Sequence, residues 1–354
     1  MITKDMSKNF NLNKAKENKN DEFYTQLADI EKELQHYEYQ FEDKHVFCNC
    51  DDPEFSNFWR YFALNFKHLG LKRLTSTHYE HNKSIPSYQM DMYREVPESS
   101  LNKETFMTLE ERGINLPLGY ITPLEEDGDF RSPESLAILE ECDIVVTNPP
   151  FSLFREYISL LIEYEKKIVI LGTQNAIKYK EIFSFIQDNK LWIGHNANRT
   201  LEFAVPSTYE FKKGKYRVDE DGTYYVKNAG ITWLTNLDVG RKRNEGVILY
   251  KNYNPTDYYT YDNFEAIDVA LIKDIPIDYY DIMGVPITIL NNYNPEQFIL
   301  LGMGTGNTAK KLGVRKNYRG RTDLAYTDEN GIQKCPYTRL LIKRKYKNDG
   351  SLNI

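Results

Sequence analysis

Apolar positions along the first two thirds of the chain alternate between helical and strand periods. Leu27, Ile30, Leu34 and Tyr37 recur three and four residues apart, which predicts an amphipathic helix to about Gln35. A short apolar run, His45 to Cys50, precedes Asp51-Asp52-Pro53 and a helical pattern from Ser56 to His68. Gly70 ends that pattern, and a second strand-like run, Leu71 to Thr77, follows. Strand, helix and strand in this spacing form the unit of a parallel α/β sheet. The stretch His81 to Glu126 holds several prolines and reads as an insertion that closes at the turn Asp127-Gly128-Asp129-Phe130. A short helix then leads to Asp143-Ile144-Val145-Val146-Thr147, whose unbroken β-branched run predicts a strand buried on both faces. It stops at Asn148-Pro149-Pro150-Phe151. A helix (Leu153 to Glu165), a strand (Lys167 to Leu171), a helix (Tyr179 to Asp188) and a strand (Leu191 to Ile193) continue the alternation. The expected fold class is α/β, with a doubly wound, mostly parallel sheet.

Beyond Arg199 the pattern changes to aromatic segments split by Gly, Asn and Asp turns, and Gly230 to Leu234 is expected to return to the sheet as its last strand. No βα alternation follows Arg241, and the chain ends in a strand-like run, Tyr337 to Lys343. Three regions result: a mobile segment over 1–19, rich in Asn and Lys, a main domain over 20–240 and a smaller region over 241–354.

Composition narrows the class. Hydrophobic residues make up 41% and charged residues 27%, and no run approaches the roughly eighteen apolar residues of a membrane helix. The N-terminus has no apolar secretory stretch, and the four cysteines lack paired metal-ligand spacing, so a soluble cytoplasmic protein without a metal is expected. The net charge of −7 hides an asymmetry: from Leu301 to Ile354 there are twelve Lys or Arg against four Asp or Glu. That segment carries about +8 and the remainder about −15, so a basic face sits at the C-terminal end, where phosphates could be met.

The most informative tetrapeptide is Asn148-Pro149-Pro150-Phe151, because ligands of an open α/β sheet bind beyond the carboxyl ends of its strands. Two prolines stiffen the turn and cannot donate, which leaves carbonyls available. Methylation of an exocyclic amino group needs such acceptors, since the lone pair of adenine's amino nitrogen is delocalised into the ring. The Asn148 side-chain oxygen and the Pro149 carbonyl can each accept one amino hydrogen, and so stabilise the positive charge that develops on the attacking nitrogen. Phe151 would stack on a base swung out of the duplex. Upstream, Asp129-Phe130 ends a strand-like segment where a carboxylate and a ring could grip the adenine of a nucleoside cofactor.

Asp21-Glu22-Phe23-Tyr24-Thr25-Gln26 opens the first helix, and here the sequence resembles the EcoRI-type family of adenine-specific DNA methyltransferases. Similar stretches are Asp51-Asp52-Pro53 with Ser56-Asn57-Phe58, the Asn148 tetrapeptide, Trp233 to Leu237, Met283 to Thr288 and Tyr337-Thr338-Arg339, together covering about Asp21 to Lys345. The resemblance implies a Rossmann-like methyltransferase fold, S-adenosyl-L-methionine as cofactor and double-stranded DNA as substrate. A monomer is expected, together with a restriction endonuclease partner that acts separately. Region 20–240 becomes the catalytic domain and 241–354 a DNA target-recognition region. Phe23, Tyr24 and Thr25 are expected near the methionine part of the cofactor. Asp51 and Asp52, at the first strand's end, are expected to contact the cofactor, and Glu80 is expected to accept from its ribose hydroxyls. The usual glycine-rich turn after the first strand is replaced by Asp51-Asp52-Pro53-Glu54-Phe55-Ser56.

A glycine-rich stretch further on, Phe298 to Gly306, resembles a strand entering a nucleotide loop, but the residues after it carry no sustained apolar face for the helix such a loop requires. The expectation is a flexible basic loop in which Lys310, Lys311, Arg315, Lys316, Arg319 and Arg321 meet phosphates or base edges. Two alternatives share the sequence signals: methylation of an amino nitrogen on ribosomal RNA or a protein glutamine, and a non-catalytic DNA-binding relic of the fold.

Overall fold

The computed structural model of the protein describes residues 24–79, 86–100, 109–111, 114–116, 119–197, 199–205 and 216–345. The segment 1–19, Phe23 and Glu80 lie outside the described residues. The chain divides into two compact units, Met1–Phe185 with Lys190–Asp238, and Ile186–Asn189 with Val239–Ile354.

Up to Thr235 the elements that bear on the site are β1 (Tyr24–Thr25), α1 (Leu27–Leu34), β2 (His45–Cys48), α2 (Asn57–Asn65), β3 (Arg73–His78), β4 (Tyr88–Tyr93), β5 (Tyr120–Pro123), α3 (Pro133–Glu141), β6 (Ile144–Thr147), α4 (Phe154–Glu163), β7 (Lys167–Thr173), α5 (Lys180–Gln187), β8 (Trp192–Ile193), β9 (Arg199–Val205), β10 (Tyr216–Val218) and β11 (Tyr224–Thr235). Their sheet has the order β1-β9-β11-β7-β6-β2-β3-β4-β5, with β8 and β10 also paired to β11. The four central strands β7, β6, β2 and β3 are parallel, and the flanks on both sides are antiparallel. From β2 the chain crosses through α2 to β3, and from β6 it crosses through α4 to β7 in the opposite direction. Right-handed crossovers in opposite directions put these helices on opposite faces, the doubly wound arrangement. The direction reverses between β2 and β6, and this is where an open sheet leaves a crevice at its carboxyl edge.

Local chemistry explains the central elements. Val46, Phe47, Val145, Val146 and Ile168 to Leu171 are all fully buried, as strands covered on both faces must be. Ser56 caps α2 by accepting from the Phe58 N–H at 3.0 Å, and the helix buries Phe58, Trp59, Tyr61 and Phe62. Ser132 caps α3 in the same way, with Pro133 at its first position.

Two expectations about this unit are corrected. The stretch read as an insertion supplies β4 and β5, which extend the sheet beyond β3. Its strand pattern is obscured by Asp91, which is fully buried because Arg73 Nε and the Thr75 hydroxyl donate to it at 2.9 and 2.7 Å. His45 Nε2 meets Thr75 Oγ1 at 2.7 Å, so the network pins the register of β2, β3 and β4, and burial pushes the imidazole down to about 3. Tyr24-Thr25 is not a helix start but an edge strand, pairing Tyr24 with Ala204 and Thr25 with Phe203, as aromatic and β-branched residues favour. As expected, Gly230 to Leu234 is part of β11, the last strand of this sheet along the chain, and it lies inside the sheet between β7 and β9.

The second unit contains β12 (Tyr259–Thr260), β13 (Ile267–Asp268), β14 (Met283–Pro286), β15 (Phe298–Met303), α6 (Gly306–Lys311), β16 (Tyr326–Thr327), β17 (Gln333–Lys334) and β18 (Arg339–Arg344). Five of them form a sheet of order β12-β13-β14-β18-β15. A buried ion pair, Arg339 Nε to Asp268 at 2.8 Å, ties β18 to β13, and the Tyr261 hydroxyl donates to the same carboxylate at 2.6 Å. The residues after Gly306 correct the expectation of a flexible loop. Lys310 and Lys311 close the helix α6, which needs only Ala309, buried in this unit's core, and Leu312 packed against it. Gly313, at φ +94°, ends the helix. The following segment is cross-linked by Asn317, whose Oδ1 accepts from Arg319 N and Arg321 N, and by Asn263 Nδ2, which donates to Arg315 O and Asp323 O. Among the described residues, no helix is long and apolar enough to cross a membrane.

Candidate active site

Four chain segments converge at the carboxyl edge of the sheet in the first unit. β2 and β6 are neighbours in parallel register, with Val46 opposite Ile144 and Phe47 opposite Val145, so the residues after Cys48 lie beside those after Thr147. Asn148 is half-buried, Pro149 buried, and Pro150 and Phe151 half-buried. The Pro150 carbonyl accepts from the Leu153 N–H at 3.0 Å, which turns the tetrapeptide into the start of α4.

Asp51 joins the two strand ends. It is 7% exposed; its Oδ1 accepts from the Ser56 hydroxyl at 2.7 Å, and its Oδ2 accepts from the Thr147 hydroxyl and from the Asn148 N–H at 3.4 Å. Burial pushes the Asp51 carboxyl up to about 6, and the three donors hold it from rising further. Asp52 faces the neighbouring strand, with its Oδ2 2.7 Å from His78 Nδ1 at the end of β3, while its Oδ1 accepts from Glu54 N. The His78 ring stacks on Tyr88 at 4.8 Å.

The Asp129 turn packs against the same edge. A side chain at Gly128, which has φ +77°, would meet the His78 carbonyl at 2.5 Å, so only glycine lets this loop approach the end of β3. The preceding strand β5 ends at Pro123, so Asp129 sits in a turn and does not close a strand as the sequence suggested. Its carboxylate takes both arms of Arg131, from Nε and from Nη2, each at 2.7 Å. Its Oδ1 also accepts from the Arg131 N–H at 2.9 Å, which closes the turn onto the carboxylate. Phe130 is 5% exposed and stands edge-on to Tyr157 at 5.0 Å, with the Arg131 guanidinium 4.9 Å from its ring centroid.

Two buried polar side chains mark this edge as a place for a polar ligand. Asn49, 3% exposed and directly after β2, has neither Oδ1 nor Nδ2 hydrogen-bonded, and the Thr25 hydroxyl, 3% exposed, is likewise without a partner. Buried amides and hydroxyls are seldom left in that condition unless a ligand or an ordered water satisfies them. Thr25 is held at this place by the Asn57 Nδ2, which donates to its carbonyl at 2.8 Å. The sequence reading missed Asn49, Ser56, Thr147 and His78. The available signal was a polar residue closing each apolar run, at positions 49, 78 and 147.

In the second unit the structure exposes all six of Lys310, Lys311, Arg315, Lys316, Arg319 and Arg321, and among the described residues none pairs with a carboxylate. Arg339 and Arg344, by contrast, are 9% and 1% exposed, so part of the tail's positive charge is internal.

Comparison with known proteins gives the same direction. The family described as adenine-specific methyltransferase EcoRI matches residues 11–345. The chain is 44% identical to the Type II methyltransferase M.EcoRI of Escherichia coli over 94% of its own length and 96% of that protein's. It is 38% identical to the Type II methyltransferase M.MgeORF184P of Mycoplasma genitalium and 35% identical to M.MpnI of Mycoplasma pneumoniae, in each case over 94% of this chain and 98% of the relative. No solved structure matches. With a parallel-sheet crevice that ends in Asn148-Pro149-Pro150-Phe151 and likeness along nearly its whole length, the chain belongs to the EcoRI family of adenine-specific methyltransferases.

Proposed function

We propose that the protein methylates the N6 amino group of adenine in specific sites of double-stranded DNA, using S-adenosyl-L-methionine, in the cytoplasm and as the modification half of a restriction–modification system. The observation that carries this reading is the placement of Asn148-Pro149-Pro150-Phe151 at the carboxyl end of β6, at the switch point of the sheet, beside buried polar side chains that lack partners. When bound, the cofactor supplies an electrophilic methyl group on a sulfonium. Asn49 and Thr25 would satisfy its polar groups, with Asp52, Asp129 and Phe130 lining the same edge and Tyr24 beside Thr25 in β1.

The chain's own contribution is to hold the adenine amino group. The Asn148 side-chain oxygen and the Pro149 carbonyl accept its two hydrogens, which draws the nitrogen lone pair out of conjugation and stabilises the charge formed on attack. Phe151 stacks on the extruded base. The exposed cations from Lys310 to Arg321 fit contacts to DNA phosphates and base edges, which supports the reading that the second unit recognises the target.

The test is Asn148→Ala. Turnover of labelled methyl groups into duplex DNA should fall about a hundredfold or more, because the lost acceptor acts mainly in the transition state, while calorimetric affinity for S-adenosylmethionine is retained. Equal losses in turnover and cofactor affinity would remove Asn148 from the reaction. Transfer to RNA or to a protein amide, with none to DNA, would overturn the substrate.

A further inference from the structure

The Asp51 carboxylate occupies the junction of three elements. Ser56, which donates to it, is the cap of α2, and the adjacent Asn57 holds Thr25 of β1. On the other side, Thr147 Oγ1 accepts from the Cys50 N–H at 3.1 Å while its own hydrogen goes to Asp51, so this hydroxyl is oriented by both partners. The Asn148 N–H completes the set. Hydrogen bonds joined by the Ser56–Asn57 peptide bond therefore link Thr25 through the start of α2 and Asp51 to the backbone of Asn148. An ionised carboxylate buried without a cation is costly, yet here both of its oxygens are used as acceptors from three donors, which an amide with a single acceptor oxygen would match less well. All of Asp51's partners are neutral hydroxyls and an amide N–H.

We propose that Asp51 is a positioning residue for methyl transfer: by accepting from the Asn148 N–H and the Thr147 hydroxyl, it fixes Asn148 and Pro149 relative to the loop at the end of β2. This extends the adenine N6 reading above and rests on it. The ionised form accepts from all three donors, whereas the protonated form gives one oxygen position to its own hydrogen, and the grip on Asn148 loosens. The titratable groups facing Asp51 are Asp52, Cys48 and Cys50 on its own segment and Tyr157 on α4. Burial drives both thiols and the phenol upward, away from neutrality. Ser56 of α2 and Thr147 of β6 present only hydroxyls.

The experiment measures kcat and KM for labelled methyl transfer to duplex DNA from pH 5 to 9, and S-adenosylmethionine affinity by calorimetry, for the wild type, Asp51→Asn and Thr147→Val. In the wild type, kcat should fall on the acid side with a midpoint near 6. Asp51→Asn should lower kcat about 10- to 100-fold, the scale of a misplaced reacting group, with cofactor affinity changed less than about threefold and the acid limb abolished. Thr147→Val removes a donor that favours the carboxylate, so its acid limb should move to higher pH. Cofactor affinity that falls in Asp51→Asn as much as kcat does would make Asp51 a cofactor ligand and overturn the proposal. Unchanged kcat and pH profile would overturn it too. If Asp51→Asn does not fold, Thr147→Val decides alone, and an unmoved limb there is refuting. A wild-type protein that transfers no methyl to adenine overturns the underlying reading, an outcome visible before any variant is compared.

Discussion

Replacing Asp51 by Asn should stabilise the first unit at neutral pH relative to acid pH, even though it slows turnover. The displacement of this carboxyl from 3.8 to about 6 corresponds to about 3 kcal/mol of preference for the protonated form, at about 1.4 kcal/mol per pH unit. Because the folded value is raised, the contribution is fully present below about 3.8 and is lost as pH rises through about 6. The wild type should therefore lose up to about 3 kcal/mol relative to Asp51→Asn between pH 4 and pH 8. Hydrogen bonds that the amide makes less well enter as a constant and cancel in the pH dependence of the difference. All three tryptophans, Trp59, Trp192 and Trp233, belong to the first unit, so urea unfolding followed by their fluorescence reports on that unit. A difference between the two proteins that stays flat from pH 4 to 8, or that changes in the wild type's favour as pH rises, would refute burial as the dominant influence on this group.

His45 should show the opposite sign. Its imidazole is held down to about 3, so the unfolded chain takes up a proton below about 6.5 that the folded one refuses, and stability is lost as pH falls from there; in His45→Gln melts, this acid slope should shrink, and an unchanged slope would count against a neutral His45. Asp129→Ala should weaken S-adenosylmethionine binding in calorimetry and Asp129→Asn should weaken it less, whereas equal affinity in all three proteins would confine Asp129 to its pairing with Arg131. Among Lys310, Lys311, Arg315, Lys316, Arg319 and Arg321, loss of a phosphate contact should reduce the slope of log affinity against log salt by about one for every sequence, while loss of a base contact should cost about 1–3 kcal/mol at the cognate site alone. Normal DNA binding by a variant with all six changed to Ser would place recognition elsewhere.

The sequence by itself determined the parallel centre of the sheet and its reactive tetrapeptide. Strands buried on both faces read as continuous apolar runs, as from Ile144 to Val146 and from Ile168 to Leu171, and the capped helices between them carry their signals locally in Ser56, Ser132 and Pro133. Asn148-Pro149-Pro150-Phe151 was legible for the same reason, since a rigid turn at the end of such a strand depends on neighbours in the chain. Tertiary structure alone decided the rest. Strand β4 was hidden because Asp91 is polar yet buried, and only the approach of Arg73, Thr75 and His45 from adjacent strands makes that position tolerable. Tyr24-Thr25 became a strand because β9 offers it an edge. Helix α6 forms on two apolar residues, too few to register as a period, because the second unit's core receives Ala309. Asp51 was visible as a residue near the first strand's end, but its partners are five and nearly a hundred positions away, and their meeting depends on β2 and β6 lying side by side in parallel. A hydrogen bond of that span leaves no trace in local pattern, because its geometry is set by the pairing of strands rather than by the spacing of residues.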